Sequence, residues 1–279
     1  MITVSDLHFA YPSGKSALSG IDLHIEKGEF AAIVGHNGSG KSTLARIIAG
    51  IEKPARGSCA VNGIDTRDKS RFIELRKTAG IVFQNPENQI VFEKVHDDMA
   101  FALRNLGLEQ DEIDRRIGEV MKTMNIEHFT NSFELSMGQK QRAAIAGVLA
   151  MQCRCIVFDE PTAMLDPKGK KDIHGIIVDL HKKGFTIVYV TNVIDEVLSA
   201  DRILILDSGR IRHEFKRGEL LENVEALKSF SLEMPLIMDI IVRLKDRNVN
   251  IDTSARTVDD LVNSLINLPA ANGHYKAAR

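Results

Sequence analysis

The chain of 279 residues carries 36 Lys+Arg against 38 Asp+Glu, a formal charge of −2, with 44% hydrophobic and 27% charged residues. That length suits one large domain, or one domain with an appendage, and a core that needs no disulfide or metal staple. The charge balance argues against a duplex-coating nucleic-acid binder, whose affinity comes from many phosphate contacts, and no run approaches the ~18 apolar residues of a membrane span. The opening residues, MITVSDLHFAYPSG, lack the basic-then-apolar layout of a signal peptide. Three cysteines make no disulfide framework in a chain this size and fit a reducing cytoplasm. Cys153 and Cys155, two apart, are expected as a buried pair on one strand face; no second Cys/His pair stands nearby at zinc spacing.

In chain order, Ile2–Leu7, Ile21–Ile25 and Phe30–Val34 are apolar or alternating runs separated by turn residues, and read as strands. After Gly40 the spacing of Leu44, Ile47 and Ile48 becomes helical. Ser58–Val61 and Ile81–Phe83 read as further strands. Residues 93–128 are mostly helical, with Ile113, Ile117, Val120, Met121 and Met124 forming an apolar stripe. Another helix follows Gly138. Cys155–Phe158 and Ile187–Val190 are continuous apolar runs, the pattern of parallel strands covered on both faces. The alternation of strands and helices gives an α/β fold. From about Asn223 the pattern turns helical again, with Ile237, Ile240, Ile241 and Leu244 as one stripe and Val258–Leu265 as another, before a tail, Ala270–Arg279, that reads as frayed.

Gly35-His36-Asn37-Gly38-Ser39-Gly40-Lys41-Ser42-Thr43 fits the phosphate-loop pattern G-x-x-x-x-G-K-[ST]. Glycines let successive backbone N–H groups turn inward on phosphate oxygens, and the next helix aims its positive end at the same anion. Lys41 is expected at the β/γ-phosphates and the Ser42 hydroxyl on Mg²⁺. This loop alone leaves GTPases, kinases and helicases open. A second site narrows the choice: the apolar run Cys155–Phe158 ends in Asp159 and Glu160. Asp159 suits Mg²⁺ held through water, while Glu160, pointing elsewhere, suits polarising an attacking water.

With these motifs the sequence resembles the ATP-binding cassette (ABC) ATPases. Leu135-Ser136-Met137-Gly138-Gln139, followed by Lys140, resembles that family's signature and precedes the acidic strand, as the family requires. Gln84 matches the Q-loop glutamine, Asp166 the D-loop aspartate, and Tyr11, 24 residues before Gly35, the aromatic that stacks on adenine. A closer resemblance is to the ATPase subunits of energy-coupling factor (ECF) transporters, which import vitamins and transition-metal ions. It rests on Gln84–Val91, on Glu160–Pro167, and on Met234-Pro235 followed by Thr257–Leu261. The resemblance implies a P-loop ABC ATPase fold with an antiparallel β subdomain, a helical signature subdomain (about 86–150) within an ATPase domain (1–228), and a helical dimerising appendage (229–279). It implies ATP and Mg²⁺, with Ser42, Gln84 and Asp159 at the metal. Two subunits would pair head-to-tail, each site joining one P-loop to the partner's Ser136, Gly138 and Gln139. The implied companions are a second ABC ATPase subunit, identical or not, a transmembrane scaffold docked near the Q-loop, and a membrane protein that binds the cargo; no nucleic acid is implied. The implied place is the cytoplasmic face of the cell membrane.

Two positions depart from the family. Met137 stands where the signature has a first glycine, so its bulk, or a need for positive φ, is expected to disturb the γ-phosphate contact. Asn192 stands where the family has a switch histidine and cannot carry charge. Glu160 is retained, which predicts a weakened rather than a dead ATPase; the plainer reading is tolerated drift in one member of an unequal pair. A soluble ABC ATPase and an ATP-sensing subunit with little hydrolysis are the alternatives. His96, His174 and His181 are expected to be solvated, Asp97 and Asp98 to face solvent or a coupling helix, and Arg67–Lys77 to form a surface charge cluster.

Overall fold

The structure, a computed structural model, describes residues 1–217, 219–223, 227, 230, 235–247, 249, 251 and 258–266. Strands β1 (Ile2–Ala10) and β2 (Ser16–Ile25) form an antiparallel hairpin in which Ile2 pairs with Ile25 and Val4 with Leu23. Strand β4 (Arg56–Val61) lies on the other edge of β1, and the Asn62-Gly63 turn brings back the short β5 (Ile64–Asp65). This is the expected antiparallel subdomain.

The second sheet has the order β10-β9-β3-β8-β7-β6. Its parallel centre is β3 (Phe30–Val34), β6 (Ala79–Val82), β7 (Cys155–Asp159), β8 (Thr186–Thr191) and β9 (Arg202–Asp207); β10 (Arg210–Lys216) closes one edge antiparallel to β9. Every residue of β3, β6, β7 and β8 is buried, which is why these segments read as unbroken apolar runs rather than alternating ones. Alternate side chains enter two cores. Phe30, Ala32, Ile156, Phe158, Ile187 and Tyr189 face the helical layer. Ala31, Ile33, Val157, Val188 and Val190 face α1 (Lys41–Ile48) and the antiparallel sheet. Parallel strands put their carboxyl ends on one side of the sheet, where α/β proteins bind ligands. Gly35, Glu160 and Asn192 all follow such ends.

The helical layer holds α3 (Val95–Asn105), α4 (Gln110–Thr123), α5 (Met137–Ala150) and α6 (Pro167–Lys182), whereas α2 (Phe72–Thr78) buries Leu75 in the opposite core. The predicted stripe on α4 buries Ile113 and Ile117 against α3 and α5. Helices α7 (Leu236–Asp246) and α8 (Val258–Ile266) match the two C-terminal stripes, and Ile237, Met238, Ile241 and Leu261 are buried in the same core as the helical layer. Met234, Thr257 and the tail Ala270–Arg279 lie outside the described residues.

Four expectations need correction. Cys153 lies ahead of β7 and enters the helical-layer core, whereas Cys155 enters the opposite one, so the two do not share a face. His181 pairs with Asp201 at 3.0 Å and packs edge-on against Phe30, and His174 is half-buried, with Nε2 enclosed and lacking a hydrogen-bond partner among the described residues. Burial holds the His174 imidazole below its ordinary range. Asp98 is structural: its Oδ1 accepts from the backbone N–H of Val91 (2.7 Å) and Phe92 (3.0 Å), fixing the chain that enters α3. Within the Arg67–Lys77 run, Arg76 turns inward, donating to Ala49 O at 2.9 Å and lying over the Phe72 ring.

Candidate nucleotide-binding site

Strand β3 ends at Val34 and the loop Gly35–Gly40 delivers the chain into α1. Two of its glycines are sterically fixed. A Cβ on Gly35 would sit 2.1 Å from Leu206 O, and one on Gly40, at φ 108°, would sit 2.5 Å from Ala17 O. Ser39 is fully buried; its N–H donates to His36 O, and its carbonyl accepts from Gly209. His36 leaves the loop to bond Asp207 at 2.8 Å through Nε2, and the Asn37 carbonyl, followed by that bond, raises its pKa above the ordinary histidine value.

Lys41 is 4% exposed. Its Nζ donates to Gly35 O (2.8 Å) and His36 O (3.0 Å) and stands 3.8 Å from Glu160 Oε1. Burial pulls its pKa down, opposed by the Glu160 and Asp159 carboxylates, so the ammonium charge is kept by its acidic neighbours. Ser42 Oγ donates to Asp159 Oδ1 at 2.7 Å. The hydroxyl and carboxylate expected at a metal therefore converge, although 117 residues separate them.

Glu160 has φ 48°, in the left-handed region. Its N–H donates to Val190 O at 2.8 Å, and its Oε2 accepts from Gln84 Nε2 at 2.9 Å. Burial, and after it the Asp159 and Glu196 carboxylates, raise its pKa against the lowering effect of Lys41. Burial likewise raises that of Asp159. Asn192 lies across the loop, with Nδ2 3.5 Å from Asn37 Oδ1. Tyr11 is half-buried and bonds Thr43 Oγ1 at 2.8 Å. Tyr11, Asn37, Gly38, Lys41, Gln84, Glu160 and Asn192 line one cleft of about 600 Å³. Lys170, Thr162 and Glu196 line it too. Thr162 lies within the Glu160–Pro167 string, whereas Lys170 and Glu196 belong to none of the motifs; the pairing of β7 with β8 brings Glu196 beside Thr162.

Ser136, Met137, Gly138 and Gln139 line a different cleft of about 590 Å³, beside Asp166 and Gly169. Ser136 caps α5: its Oγ accepts from Gln139 N–H, while the Gln139 side chain returns to Ser136 N–H. Met137 and Gly138 are helical, and neither has positive φ. The concern that Met137 strains a left-handed position is thereby removed; only its bulk remains. Helix α5 also grips the Q-loop. Lys140 Nζ pairs with Glu87 at 2.6 Å, and the buried Gln141 donates to Phe83 O at 3.2 Å.

Residues 18–163 match the ABC transporter family. The chain belongs to the ABC ATPases. This ABC ATPase is 42% identical to the "Energy-coupling factor transporter ATP-binding protein EcfA1" of Clostridium novyi, over 93% of this chain and 94% of that one. It is 39% identical to the corresponding EcfA of Methanocaldococcus jannaschii, over 96% and 97%. Among solved structures it is similar to cbiO1 of Clostridium perfringens, described as part of the ABC transporter complex cbiONQ: TM-score 0.72, 36% identity, 86% of this chain and 98% of that one. It is also similar to a dimeric ATP-binding cassette in a post-hydrolysis state with ADP and Pi bound: TM-score 0.70, 31% identity, 77% and 98%. The expected fold is confirmed, as is an ATP-binding, ATP-hydrolysing cassette.

Proposed function

We propose that this ABC ATPase is the motor of an ECF-type importer, using ATP to drive uptake of a vitamin or transition-metal ion through a membrane scaffold. One observation carries the chemistry: the buried Lys41, the Ser42–Asp159 pair and Glu160 converge on one cleft at the carboxyl ends of the central strands. The relatives' names favour this reading over a soluble ABC ATPase or an ATP sensor.

In this reading Gly35–Thr43 wraps the phosphates with backbone N–H groups, and Lys41 leaves the Gly35 and His36 carbonyls for the β/γ-phosphates. Tyr11 stacks on adenine. Ser42, Asp159 and Gln84 offer hard oxygens, the donor set that suits Mg²⁺. Bound there, Mg²⁺ would neutralise phosphate charge. Glu160 accepts the proton of the attacking water, Gln84 holds that carboxylate, and Asn192 donates to the γ-phosphate. Ser136, Gly138 and Gln139 serve the nucleotide of a second ATPase subunit, a role supported by their lying in a separate cleft from the P-loop. The division into an ATPase domain (1–228, with its helical part about 86–150) and a C-terminal dimerising segment (229–279) belongs to the same proposal.

The scaffold partner is supported by an apolar cleft of about 300 Å³ between α2 and α3, lined by Phe72, Ile73, Phe101 and Leu106; the Phe101 ring lies 5.4 Å from that of Phe92, the residue after Val91. Phe72, Ile73 and Phe101 are about half exposed (46%, 50% and 46%), a large exposure for apolar side chains gathered in one patch. No described helix is long and apolar enough to cross a membrane, so attachment to the cytoplasmic membrane face falls to partners, among them a separate cargo-binding protein. Steady-state ATP turnover with and without a Mg²⁺ chelator tests the chemistry. Turnover that survives chelation would refute the assigned site.

A further inference from the structure

Glu196 lies in a single helical turn, Ile194–Val197, just after β8. Its side chain is 13% exposed and gathers donors from three directions. Thr162 Oγ1 donates to Oε1 at 2.7 Å; Tyr189 OH and Thr191 Oγ1 donate to Oε2 at 3.1 and 3.0 Å. Lys170 Nζ, from α6, stands 3.7 Å from Oε1 and supplies the counter-charge. Thr162, Tyr189 and Thr191 are themselves buried, and their hydroxyls converge on this one carboxylate.

The donors flank the reacting groups. Thr162 is two residues past Glu160, whose left-handed backbone (φ 48°) is one that a side-chain-bearing residue keeps only where its surroundings over-determine it. Thr191 immediately precedes Asn192, and its Oγ1 also accepts from Val193 N–H at 3.1 Å, so the chain on both sides of Asn192 is held. We propose that Glu196 is a positioning residue: through Thr162 and Thr191 it clamps the Glu160 turn and the Asn192 loop into one frame at the cleft. A carboxylate suits this because it offers two acceptor oxygens and no donor, and so takes all three hydroxyls at once.

The proposal rests on Glu160 being the water-polarising group, and the experiment separates the two. Steady-state kcat and KM for ATP, with the Mg·ATP Kd, are measured for the intact chain and for Thr162→Val, Thr162→Ser, Glu196→Gln and Glu160→Gln. Thr162→Val keeps the shape of the side chain and removes the donor. It should lower kcat about 10- to 100-fold, the cost of slight misplacement at a reacting centre, while KM and Kd stay within about twofold. Thr162→Ser, which restores the hydroxyl, should recover most of kcat. Glu196→Gln should fall between, and combining it with Thr162→Val should cost less than the product of the two, because they interrupt one connection. If Glu160→Gln abolishes turnover while Thr162→Val and Glu196→Gln leave kcat within about twofold, the clamp is overturned and Glu160 stands. A parallel loss of kcat and nucleotide affinity, or a Thr162→Ser no better than Thr162→Val, also overturns it. If Glu160→Gln itself keeps turnover, the assignment of Glu160 fails, and the clamp fails with it.

Discussion

The side-chain amide of Gln84 donates to Glu160 Oε2 at 2.9 Å, joining the Q-loop to the carboxylate that ends the acidic strand. Because α5 grips the same loop through Lys140–Glu87 and Gln141–Phe83, the P-loop cleft and the signature helix are physically connected. Glu160→Gln keeps a group that can bond Gln84 but cannot take a proton. Its turnover should fall about 10²- to 10⁴-fold with Mg·ATP affinity retained, as read by ATPase assay and calorimetry. Retained turnover would remove Glu160 from the chemistry.

Lys41→Ala deletes the buried ammonium that faces Gly35 O, His36 O and Glu160. Loss of a charge-assisted phosphate contact of about 1.5–3 kcal/mol should weaken Mg·ATP binding about ten- to a hundredfold. Calorimetry with the purified chain reads this directly. An unchanged Kd would show that the loop is not the phosphate site.

Asn192 and Met137 should respond differently to restoration of the family residue. Asn192 lines the cleft across from Asn37, so Asn192→His adds a proton-competent donor there and should raise turnover about 10- to 100-fold. Met137 occupies the first turn of α5 with ordinary helical backbone. Met137→Gly relieves no backbone strain, and as a helix substitution it should cost up to about 1 kcal/mol of stability. Any gain in turnover from it must come from removing bulk. If the subunit pairs with itself, both changes fall in the same composite site, and the double variant should depart from additivity. The four turnover rates, with thermal melts, decide the matter.

His36 and Asp207 give the P-loop a pH dependence of defined sign. The folded state raises the His36 pKa, mainly through its bonds to the Asn37 carbonyl and the Asp207 carboxylate. The resulting stabilisation is complete below the unfolded histidine value and is lost as pH rises through the higher folded one. Asp207 is shifted down and titrates far more acidic, so between about pH 5 and 8 the change belongs to His36. Both groups are partly exposed and the effect is modest. The melting-temperature advantage over Asp207→Asn should be largest near the acid end of that window and shrink towards its alkaline end. An advantage that grows with pH would contradict the assignment.

The P-loop was legible because its constraints are local. Gly35 and Gly40 are demanded by Leu206 O and Ala17 O, but the loop spacing announces them without those partners. The buried parallel strands were equally plain as unbroken apolar runs. Strands β9 and β10 are not singled out by the sequence reading, although Ile203–Leu206 is such a run and β10 alternates exposed Arg210, Arg212, Glu214 and Lys216 with inward Ile211, His213 and Phe215, because charged and polar residues make up most of β10. Glu196 was invisible for another reason. It sits five to seven residues from Thr191 and Tyr189 but 34 from Thr162, and only the β7–β8 pairing shows that they meet. Cys153 and Cys155 misled through spacing: two residues apart implies one face only if both lie in the strand, and Cys153 does not.

Co-purification of the tagged chain from a detergent extract of its own cells bears most directly on whether this ABC ATPase drives a membrane importer. The chain should bring down a second ATPase subunit or a second copy of itself, a multi-span scaffold and a small membrane protein. Replacing the exposed Ile73 and Phe101 by Asp should release the two membrane proteins while leaving ATP binding intact. A chain that purifies with no transmembrane companion, or one whose companions stay bound despite both substitutions and are lost only when Lys41 is removed, would contradict docking through the α2–α3 cleft.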